Sequence, residues 1–475
     1  MESWWGAVVS INWVWWGQAG FIGYFVLLNG GYLVLNVLSM VSLRRYMRQR
    51  AELGETAPYL GVEPGVSILV PAFNEEATIR TSILSLMQLQ YPEFEIVVIN
   101  DGSKDNTLAV LKEAFGLEEH PEPLRLSVPH QEIQGIYRSR RHGNLKVIDK
   151  ANGGKADALN AGINAARHEL FCAVDADSIL QRDSLLRVVQ PFLEDERTVA
   201  AGGTVRIANG SKVQGGYLLQ AGIPASLLAR FQIVEYLRAF LFGRLGWSPL
   251  NAVLIISGAF GLFNRERVME VGGYSTTTVG EDMELVVRLH RYHREKRLPY
   301  RIQYLPDPIC WTEAPEDLTT LGKQRSRWQR GLAESLSRHA KLAVMPRGGA
   351  PGRLAWPFMA LFEWLGPLIE LAGYAFMLVG FSLGIISPLA LTVFMLVAVG
   401  MGILLSVNGL LLETLSFRVY ARRRDIWRLF LVAVIENFGY RQLNTLWRCR
   451  GMWQWFSRRK HQWGAMKRSG QWGQH

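Results

Sequence analysis

Two carboxylates one residue apart follow a short apolar run near the middle of the chain. The run at 171–174 has the length and composition of a buried strand, and Asp175 and Asp177 come directly after it. At the end of a strand this spacing lets both side chains reach one ion. Carboxylate oxygens suit Mg²⁺ or Mn²⁺, ions that commonly bind a substrate diphosphate as well. The pair is a candidate metal site, although the triplet alone is a weak signal because it also arises by chance.

Polar residues occupy the corresponding position after other apolar runs. Strands are predicted at 66–70, 94–99, 146–148 and 170–174. Helix-period stretches lie between them, at about 76–89, 105–115 and 155–167. This alternation predicts an α/β fold with a mostly parallel sheet, in which ligands bind at the carboxyl ends of the strands. The residues at those ends are Asn74, Glu75, Asn100, Asp101, 152–155 (Asn-Gly-Gly-Lys), Asp175 and Asp177.

An acidic helix start follows a further predicted strand. Residues 256–264 resume the strand pattern, and residues 280–285 (Gly-Glu-Asp-Met-Glu-Leu) begin a helix with three acids in its first turn. Carboxylates at this position also interact favourably with the helix dipole, and this alone explains their presence. A role in a catalytic site and simple stabilisation of the helix are therefore both open alternatives for these acids.

A basic stretch that contains tryptophan precedes the second apolar half of the chain. Gln324, Arg327 and Trp328 lie about one helical turn apart within it. A surface-anchored amphipathic helix explains the arginine and the tryptophan. It explains the glutamine less well, so a role in a polar site is the alternative.

The composition indicates an anionic partner and a reducing environment. Over 475 residues the formal net charge is +11 and the isoelectric point about 9.6, which favours a lipid surface, a phosphorylated substrate or a nucleic acid. The basic residues gather at predicted membrane edges, so nucleic-acid binding is not expected. Cys172, Cys310 and Cys449 show no paired spacing, which argues against a disulfide framework or a zinc site.

Two long uncharged windows predict membrane spans. Residues 3–43 hold one span, at about 19–41, after a tryptophan-rich interfacial segment. Residues 371–412 are about twice as long as the roughly 20 residues that a membrane helix needs. Pro388 near their middle predicts two spans joined by a corner. We predict three spans, and leave a fourth open at 426–451 because charged residues interrupt it.

Arginines after the first span fix the predicted orientation. They are Arg44, Arg45, Arg48 and Arg50. The positive-inside rule then places the N-terminus outside and the residues after 44 in the cytoplasm. A cleaved signal peptide is not expected, because the N-terminus lacks a basic start and the apolar run is too long.

These patterns divide the chain into four parts. They are 1–50 (an interfacial segment and the first transmembrane helix), 51–345 (a cytoplasmic domain), 359–416 (paired transmembrane helices) and 417–475 (a basic interfacial or re-entrant helix and a cytoplasmic tail). Interfacial helices are predicted at about 224–245 and 330–358. For the first of these the alternative is an ordinary amphipathic helix packed on the sheet.

Six short motifs occur in an order that resembles one family. They are 71–75 (Pro-Ala-Phe-Asn-Glu), 100–103 (Asn-Asp-Gly-Ser), 152–155, 175–177 (Asp-Ala-Asp), 280–282 (Gly-Glu-Asp) and 324–328 (Gln-Arg-Ser-Arg-Trp). In this order they resemble the membrane-bound family 2 glycosyltransferases, the group of cellulose, chitin and hyaluronan synthases. Six ordered motifs are a far stronger signal than any one of them.

The resemblance implies a GT-A-type, Rossmann-like domain that binds a UDP-sugar with Mg²⁺ or Mn²⁺. Its implied donor-binding residues are Pro71, Phe73, Glu75, Asp101, Gly154, Lys155 and Asp175, and its implied metal ligands are Asp177 and Asp175. An aromatic face and a carboxylate suit uracil, and Lys155 adds a positive charge for a phosphate. For 100–103 the alternative is a tight turn that closes a strand.

The resemblance also implies an inverting transfer with Asp282 as the general base. The implied diphosphate- and acceptor-binding residues are Gln324, Arg327, Trp328, Glu281, Ser257 and Gly258. Arg325 is a further candidate for the diphosphate. Glu281 and Glu284 are more easily explained as cap or ion-pair residues. In the family, the Gln-x-x-Arg-Trp motif accompanies processive chain elongation.

The expected function is therefore processive synthesis of a β-linked polysaccharide, with the catalytic domain on the cytoplasmic face of the plasma membrane, the inner membrane of a bacterium. The expected partners are the UDP-sugar, a growing glycan or lipid-linked acceptor, membrane lipids and an accessory secretion subunit. UDP-GlcNAc is the first expectation, with UDP-Glc and UDP-GlcA as alternatives, since the tail is too short for the regulatory barrel of cellulose synthases. Transfer of one sugar to a lipid carrier and a non-catalytic membrane scaffold are the competing hypotheses.

Two segments depart from the family pattern. Residues 463–468 are similar to a gating segment of hyaluronan synthases but lack its threonine in register. Residues 117–145 look like an insert that contains His120, His130 and His142, and histidines in a polar loop are usually only solvated. Neither segment yields a functional prediction.

Overall fold

The computed structural model describes residues 2–53, 61–124, 126–214, 216–420 and 422–458. The tail segment 463–468 lies outside these residues. The strands are β1 Val66–Ala72, β2 Phe94–Asp101, β3 Leu117–Glu119, β4 Ile133–Ser139, β5 Leu145–Lys150, β6 Leu170–Val174, β7 Ile179–Leu180, β8 Thr198–Ile207, β9 Lys212–Gln214, β10 Tyr217–Gln220, β11 Phe260–Asn264 and β12 Arg301–Thr312.

Helices surround the sheet and form most of both ends of the described chain. They are α1 Glu2–Leu53, α2 Ile79–Leu86, α3 Thr107–Phe115, α4 Lys155–Ala165, α5 Ser184–Val188, α6 Gln190–Glu194, α7 Leu227–Leu237, α8 Leu245–Trp247, α9 Arg265–Glu270, α10 Glu281–Lys296, α11 Leu318–Arg338, α12 Lys341–Val344, α13 Trp356–Phe358, α14 Gly366–Ser382, α15 Pro388–Met395, α16 Met401–Ser416, α17 Arg423–Ile435 and α18 Tyr440–Phe456. Four π-helical segments and one 3₁₀ turn connect some of them, at Arg238–Arg244, Pro351–Ala355, Met359–Trp364, Leu396–Gly400 and Ser248–Leu250.

One ten-stranded sheet forms the centre of the domain, in the order β3-β4-β5-β2-β1-β6-β11-β8-β12-β7. The four predicted strands form a parallel part, β5-β2-β1-β6, and β8 and β12 form a further parallel pair. The expectation of a mostly parallel sheet is wrong, because β11 runs antiparallel to both β6 and β8, and the pairs β3-β4, β4-β5 and β12-β7 are also antiparallel. The reason is the chain path: β11 begins with Phe260 opposite Val174, at the carboxyl end of β6, and so must run away from that edge.

The predicted helices between the first strands are present, with shorter ends. The stretch at 76–89 contains α2, which begins only at Ile79, after a turn in which the Thr78 hydroxyl donates to the Glu75 carboxylate (2.7 Å). The stretch at 105–115 contains α3, which ends at Gly116 with a φ of 59°, a conformation that favours glycine. The insert at 117–145 contributes β3 and β4 to one edge of the sheet.

Apolar helices of membrane-spanning length lie on both sides of the domain. Among the described residues, Trp13–Glu52 and Pro388–Ser416 are long and apolar enough to cross a membrane. A third span results if Pro351–Trp364 and Gly366–Ser382, which are bent by 46°, are counted as one. The Trp-rich start is part of the continuous α1. The predicted corner is where α15 begins, since Ser387 caps that helix.

The segment around α7 is packed between the sheet and the apolar helices. Its side chains from Phe231 to Phe242 include eight hydrophobic residues that are at most 9% exposed. This packing fits the alternative of a helix packed on the sheet better than a helix that lies on a membrane surface. The predicted interfacial helix at 330–358 is also absent as a unit, because its first residues continue α11.

A buried ion pair ties the sheet to an apolar helix. The Arg206 guanidinium on β8 donates to the Glu413 carboxylate on α16, and both side chains are almost fully buried. Removing one partner of a buried pair leaves the other charge without compensation, which costs about 3–5 kcal/mol.

We therefore expect Glu413→Ala to destabilise the protein strongly and to lower its Tm in detergent micelles. The control is Glu295→Ala, which removes a partly exposed ion-pair partner of Arg291 and Lys341, where a loss of at most about 1 kcal/mol is expected. Equal Tm shifts for the two variants would contradict the structural importance of the buried pair.

Candidate active site

A cavity of about 1500 Å³ opens at the carboxyl ends of β1, β2 and β6. Every residue to which the family resemblance assigns a site role contributes to its lining. These residues are Pro71, Phe73, Glu75, Asp101, Gly154, Lys155, Asp175, Asp177, Ser257, Gly258, Glu281, Asp282, Gln324, Arg327 and Trp328. The fold therefore brings together side chains that are up to 257 positions apart in the chain. The individual role of each residue remains a prediction.

The Lys155 side chain lies at the centre of this group. Its Nζ forms an ion pair with Asp175, donates to the Gly258 carbonyl (3.1 Å) and lies 3.9 Å from the Glu281 carboxylate. Burial disfavours the charged form, but the attraction of Asp175 and Glu281 outweighs it and raises the pKa of Lys155. The side chain is therefore a cation that faces both carboxylates.

The two acids at the start of α10 occupy different environments. Asp282 accepts a hydrogen bond from the Gly258 amide (3.1 Å), which fixes one of its carboxylate oxygens at the cavity wall. Glu281 is more enclosed, and burial raises its pKa to about 7, with Asp282 adding to the effect and Lys155 opposing it. At neutral pH, Glu281 is therefore partly protonated.

Helix α11 presents the basic, tryptophan-containing motif to the cavity. Trp328 keeps 44% of its surface exposed there. Arg325 does not point to the diphosphate region as expected: its guanidinium donates to Glu235 (2.7 Å) and lies over the Trp328 ring, 4.3 Å from the ring centroid. Arg327 is close enough to Glu281 to lower the pKa of that acid.

The start of α10 packs directly against the main chain of α11. A methyl group at Gly331 would lie only 2.8 Å from the Gly280 Cα atom, so the two backbones touch. The Glu334 carboxylate strengthens this junction by accepting hydrogen bonds from the Val279 amide (3.0 Å) and the Thr278 hydroxyl (2.8 Å). The acid pair and the motif on α11 are therefore positioned by one contact.

The Asp101 carboxylate is directed into a loop. It accepts hydrogen bonds from the Gly153 amide (3.0 Å) and the Gly154 amide (2.7 Å), and it forms an ion pair with Lys150 (2.6 Å). The expected contact with uridine would have to replace one of these bonds. Phe73 remains 37% exposed and available for stacking.

The same cavity continues among the apolar helices. Its further lining includes Asn29, Tyr32, Glu363, Glu370, Arg441, Thr445 and Arg448. Arg448 pairs with Glu363 (2.8 Å), and Glu363 also accepts a hydrogen bond from Tyr32. Sequence reasoning missed these residues. The available signal was the presence of Glu363 and Glu370 next to an uncharged window, since ionisable groups beside apolar helices commonly have a function.

Family models match most of the domain and the apolar segment after it. Residues 67–265 match the model described as Glycosyl transferase family 2, and residues 170–405 match Glycosyl transferase family group 2. Together the matches cover well over half of the chain. The chain carries a family 2 glycosyltransferase domain, as the order of its motifs predicted.

Two curated relatives are polysaccharide synthases. The chain is 31% identical over 275 residues to the poly-beta-1,6-N-acetyl-D-glucosamine synthase of Staphylococcus epidermidis and 32% identical over 277 residues to that of Staphylococcus aureus. Each match covers 58% of this chain and 56% of the relative, so the chain spans little more than half of the length of these proteins.

A solved structure shares the fold. The mannosyltransferase PcManGT from Pyrobaculum calidifontis, in complex with GDP-Man and Mn²⁺, matches with a TM-score of 0.50 and 17% identity over 87% of this chain and 99% of that protein. The predicted α/β fold of the GT-A type is thereby confirmed.

The raised pKa of Glu281 predicts a pH-dependent stability. The folded protein holds a proton on Glu281 up to about pH 7, whereas the unfolded chain releases it near 4.5, so wild-type stability falls as the pH rises through this window. We expect Glu281→Gln to gain in Tm over the wild type between pH 5 and pH 7 and to keep a constant advantage above that.

Glu284→Gln is the matched control, because it should behave in the opposite way. Burial alone would raise the pKa of Glu284, but His339 and Arg288 outweigh burial and lower it. This variant should be less stable than the wild type at neutral pH, with a difference that shrinks as the pH falls below 4.5. Parallel pH profiles for the two variants would contradict the assignment of Glu281.

The contact between Gly280 and Gly331 predicts a defect in positioning. Gly331→Ala must push the start of α10 away from α11, because the added methyl group would meet main-chain atoms at 2.8 Å; we therefore expect kcat for sugar transfer to fall about 10-fold or more while UDP binding is kept. Gly23→Ala in α1, where a methyl group meets nothing within 4 Å, is the control and should be neutral. Normal kcat in Gly331→Ala would show that the close contact is not needed.

Proposed function

We propose that the protein is a processive, inverting glycosyltransferase that lengthens a β-linked polysaccharide from a UDP-sugar. One observation carries this proposal: a single cavity joins the carboxylates Asp175, Asp177 and Asp282 to polar residues among the apolar helices. Such a cavity offers a path for a product that remains attached to the site while it grows. Transfer and passage across the membrane then use the same space.

Asp282 is the general base in this proposal. Its carboxylate takes the proton of the acceptor hydroxyl as that oxygen attacks the anomeric carbon from the face opposite the departing UDP, which inverts the configuration. The Gly258 amide orients the carboxylate by its hydrogen bond (3.1 Å). A base placed in this way contributes roughly 10²- to 10⁴-fold in rate.

The donor diphosphate lies near Lys155 and the Asp175–Asp177 pair. No group of three or more His, Cys, Asp or Glu side chains that could hold a metal occurs in the part of the chain that the structure describes. Two cavity-lining carboxylates nevertheless fit Mg²⁺ or Mn²⁺, which take their other ligands from phosphates and water. When bound, the ion neutralises charge on the leaving diphosphate. Lys155 contributes a second positive charge at the same place.

The acceptor sugar lies against Trp328, whose exposed face suits stacking of a pyranose ring. The names of the two staphylococcal relatives support N-acetylglucosamine as the donor sugar and a β-1,6 linkage. The arginines after the first span support an N-terminus outside and a cytoplasmic catalytic domain. An accessory secretion subunit remains part of the proposal.

The second candidate is transfer of a single sugar to a lipid carrier. The apolar part of the cavity wall, which includes Leu28, Leu35 and Phe358, also suits a lipid chain. The polar residues Glu370, Arg441 and Thr445 favour a glycan in the same space. Product length separates the two candidates.

We expect Asp282→Asn to reduce sugar incorporation by at least about 10²-fold, because the amide cannot accept the proton, while UDP binding measured by calorimetry is unchanged. The assay supplies radiolabelled UDP-GlcNAc and Mn²⁺ to the purified protein in nanodiscs and separates the products on a gel. UDP-Glc and UDP-GlcA are supplied in parallel.

Glu266→Gln is the control, because Glu266 is likewise an acid in the first turn of a helix, but it is exposed and does not line the cavity. It should leave incorporation unchanged. A single discrete glycolipid product would reject processive synthesis, and full activity of Asp282→Asn would reject the general base.

A further inference from the structure

A cluster of buried charges lies beneath the Asn-Gly-Gly-Lys loop. Lys150 ends β5 and Asp101 ends β2, and the two residues are opposite each other in the parallel pair. The Lys150 Nζ lies 2.6 Å from a carboxylate oxygen of Asp101, 2.6 Å from one of Asp157 and 2.6 Å from the Ala151 carbonyl oxygen. An ammonium group has three hydrogens to donate, so these acceptors satisfy it fully.

Asp101 connects this ammonium to the loop. One of its oxygens accepts from Lys150 and from the Gly153 amide, and the other accepts from the Gly154 amide and the Asn152 side chain. Gly154 has a φ of 89°, which favours glycine, and it is the residue immediately before α4. The conformation of the loop is therefore set by one carboxylate.

The use of the two glycine amides is unexpected. Amides at the start of a helix commonly bind a phosphate, and Gly154 is among the donor-binding residues that the family resemblance implies. Here the Asp101 carboxylate takes the place of an external anion on both amides. The Lys155 ammonium, next to Asp175, instead supplies the positive charge that this part of the chain presents to the cavity.

The cluster is poorly explained as a source of stability. Its side chains are 0%, 4% and 6% exposed for Lys150, Asp101 and Asp157, and it contains two negative charges against one positive charge. Taking three charges out of water is costly, and apolar residues of similar size are often as stable. The excess negative charge is offset by the amides and by the positive end of the α4 dipole. The cluster instead fixes the conformation of the loop at the start of α4.

We propose that Lys150, Asp101 and Asp157 are positioning residues that hold the loop at 151–154 so that Lys155 meets the donor diphosphate. This inference rests on the proposed function only in taking a nucleoside diphosphate as the ligand. None of the three side chains needs to touch the sugar. Loss of the cluster should therefore weaken donor binding much more than it slows the transfer of bound donor.

The test compares two lysines on one strand. Lys146 lies four residues before Lys150 on the same face of β5, is also buried, and pairs with Glu122 and the Ala165 carbonyl away from the cavity. We expect Lys150→Met to raise the Kd for UDP and the KM for UDP-GlcNAc roughly 10-fold or more, with kcat changed less than KM. Lys146→Met should leave Kd and KM within about twofold of the wild type.

A second variant protects the test against misfolding. Lys150→Met leaves two buried carboxylates unpaired, so the charge-reduced double variant Asp101→Asn/Lys150→Met is measured in parallel. It should fold better than the single variant but keep the weakened UDP binding. Hydrogen exchange of the peptide that contains Gly153 and Gly154 should accelerate in both variants and remain slow in Lys146→Met.

The outcomes separate this inference from the proposed function. If the double variant and Lys146→Met are both folded and bind UDP as tightly as the wild type, the inference is overturned and the proposed function remains intact. Absence of UDP binding in the wild type itself would overturn the proposed function. Weakened binding in both lysine variants to the same extent would show that the cluster acts only through stability, and would also overturn the inference.

Discussion

One ammonium group connects the two halves of the active site. Lys155 begins α4 on the parallel side of the sheet, and its Nζ contacts Asp175 of the same side. It also contacts the Gly258 carbonyl and approaches Glu281, both of which come after β8 in the chain. A largely buried cation needs all of these partners, because none alone compensates its loss of water. The proposed donor side and the proposed base side are therefore held together before substrate binds.

Helix α11 links this site to the apolar helices. Its cavity face carries Trp328, while its opposite face packs so closely on α18 that Gly451 has no room for a side chain beside Ser326. The buried pair between Arg206 and Glu413 makes a second connection from the sheet to an apolar helix. The proposed catalytic domain and the proposed membrane path are thus parts of one packed structure, which is what coupled synthesis and passage of a glycan requires.

The sequence revealed the parts of the site that depend on local pattern. Apolar runs followed by polar residues placed Asp175 and Asp177 correctly at the end of β6, and the helix start at Glu281 was visible from its acids and the glycine before them. The direction of β11 was not visible, because one strand looks the same in either direction. The partners of Asp101 and Arg325 were also hidden, since Lys150 and Glu235 lie 49 and 90 positions away and nothing local marks such pairs. The polar lining among the apolar helices was missed because it depends on how separate helices face one another.

The contact between Gly280 and Gly331 has a consequence for how the site can vary. Both positions already have the smallest possible residue, so a larger residue at one cannot be accommodated by a smaller residue at the other. The spacing between the acids of α10 and the aromatic face of α11 is thus determined by main chain alone. In the proposed function, adaptation to a sugar of different size or linkage must come from the cavity walls around this pair. The distance between the acids of α10 and the aromatic face of α11 then stays the same whichever sugar is used.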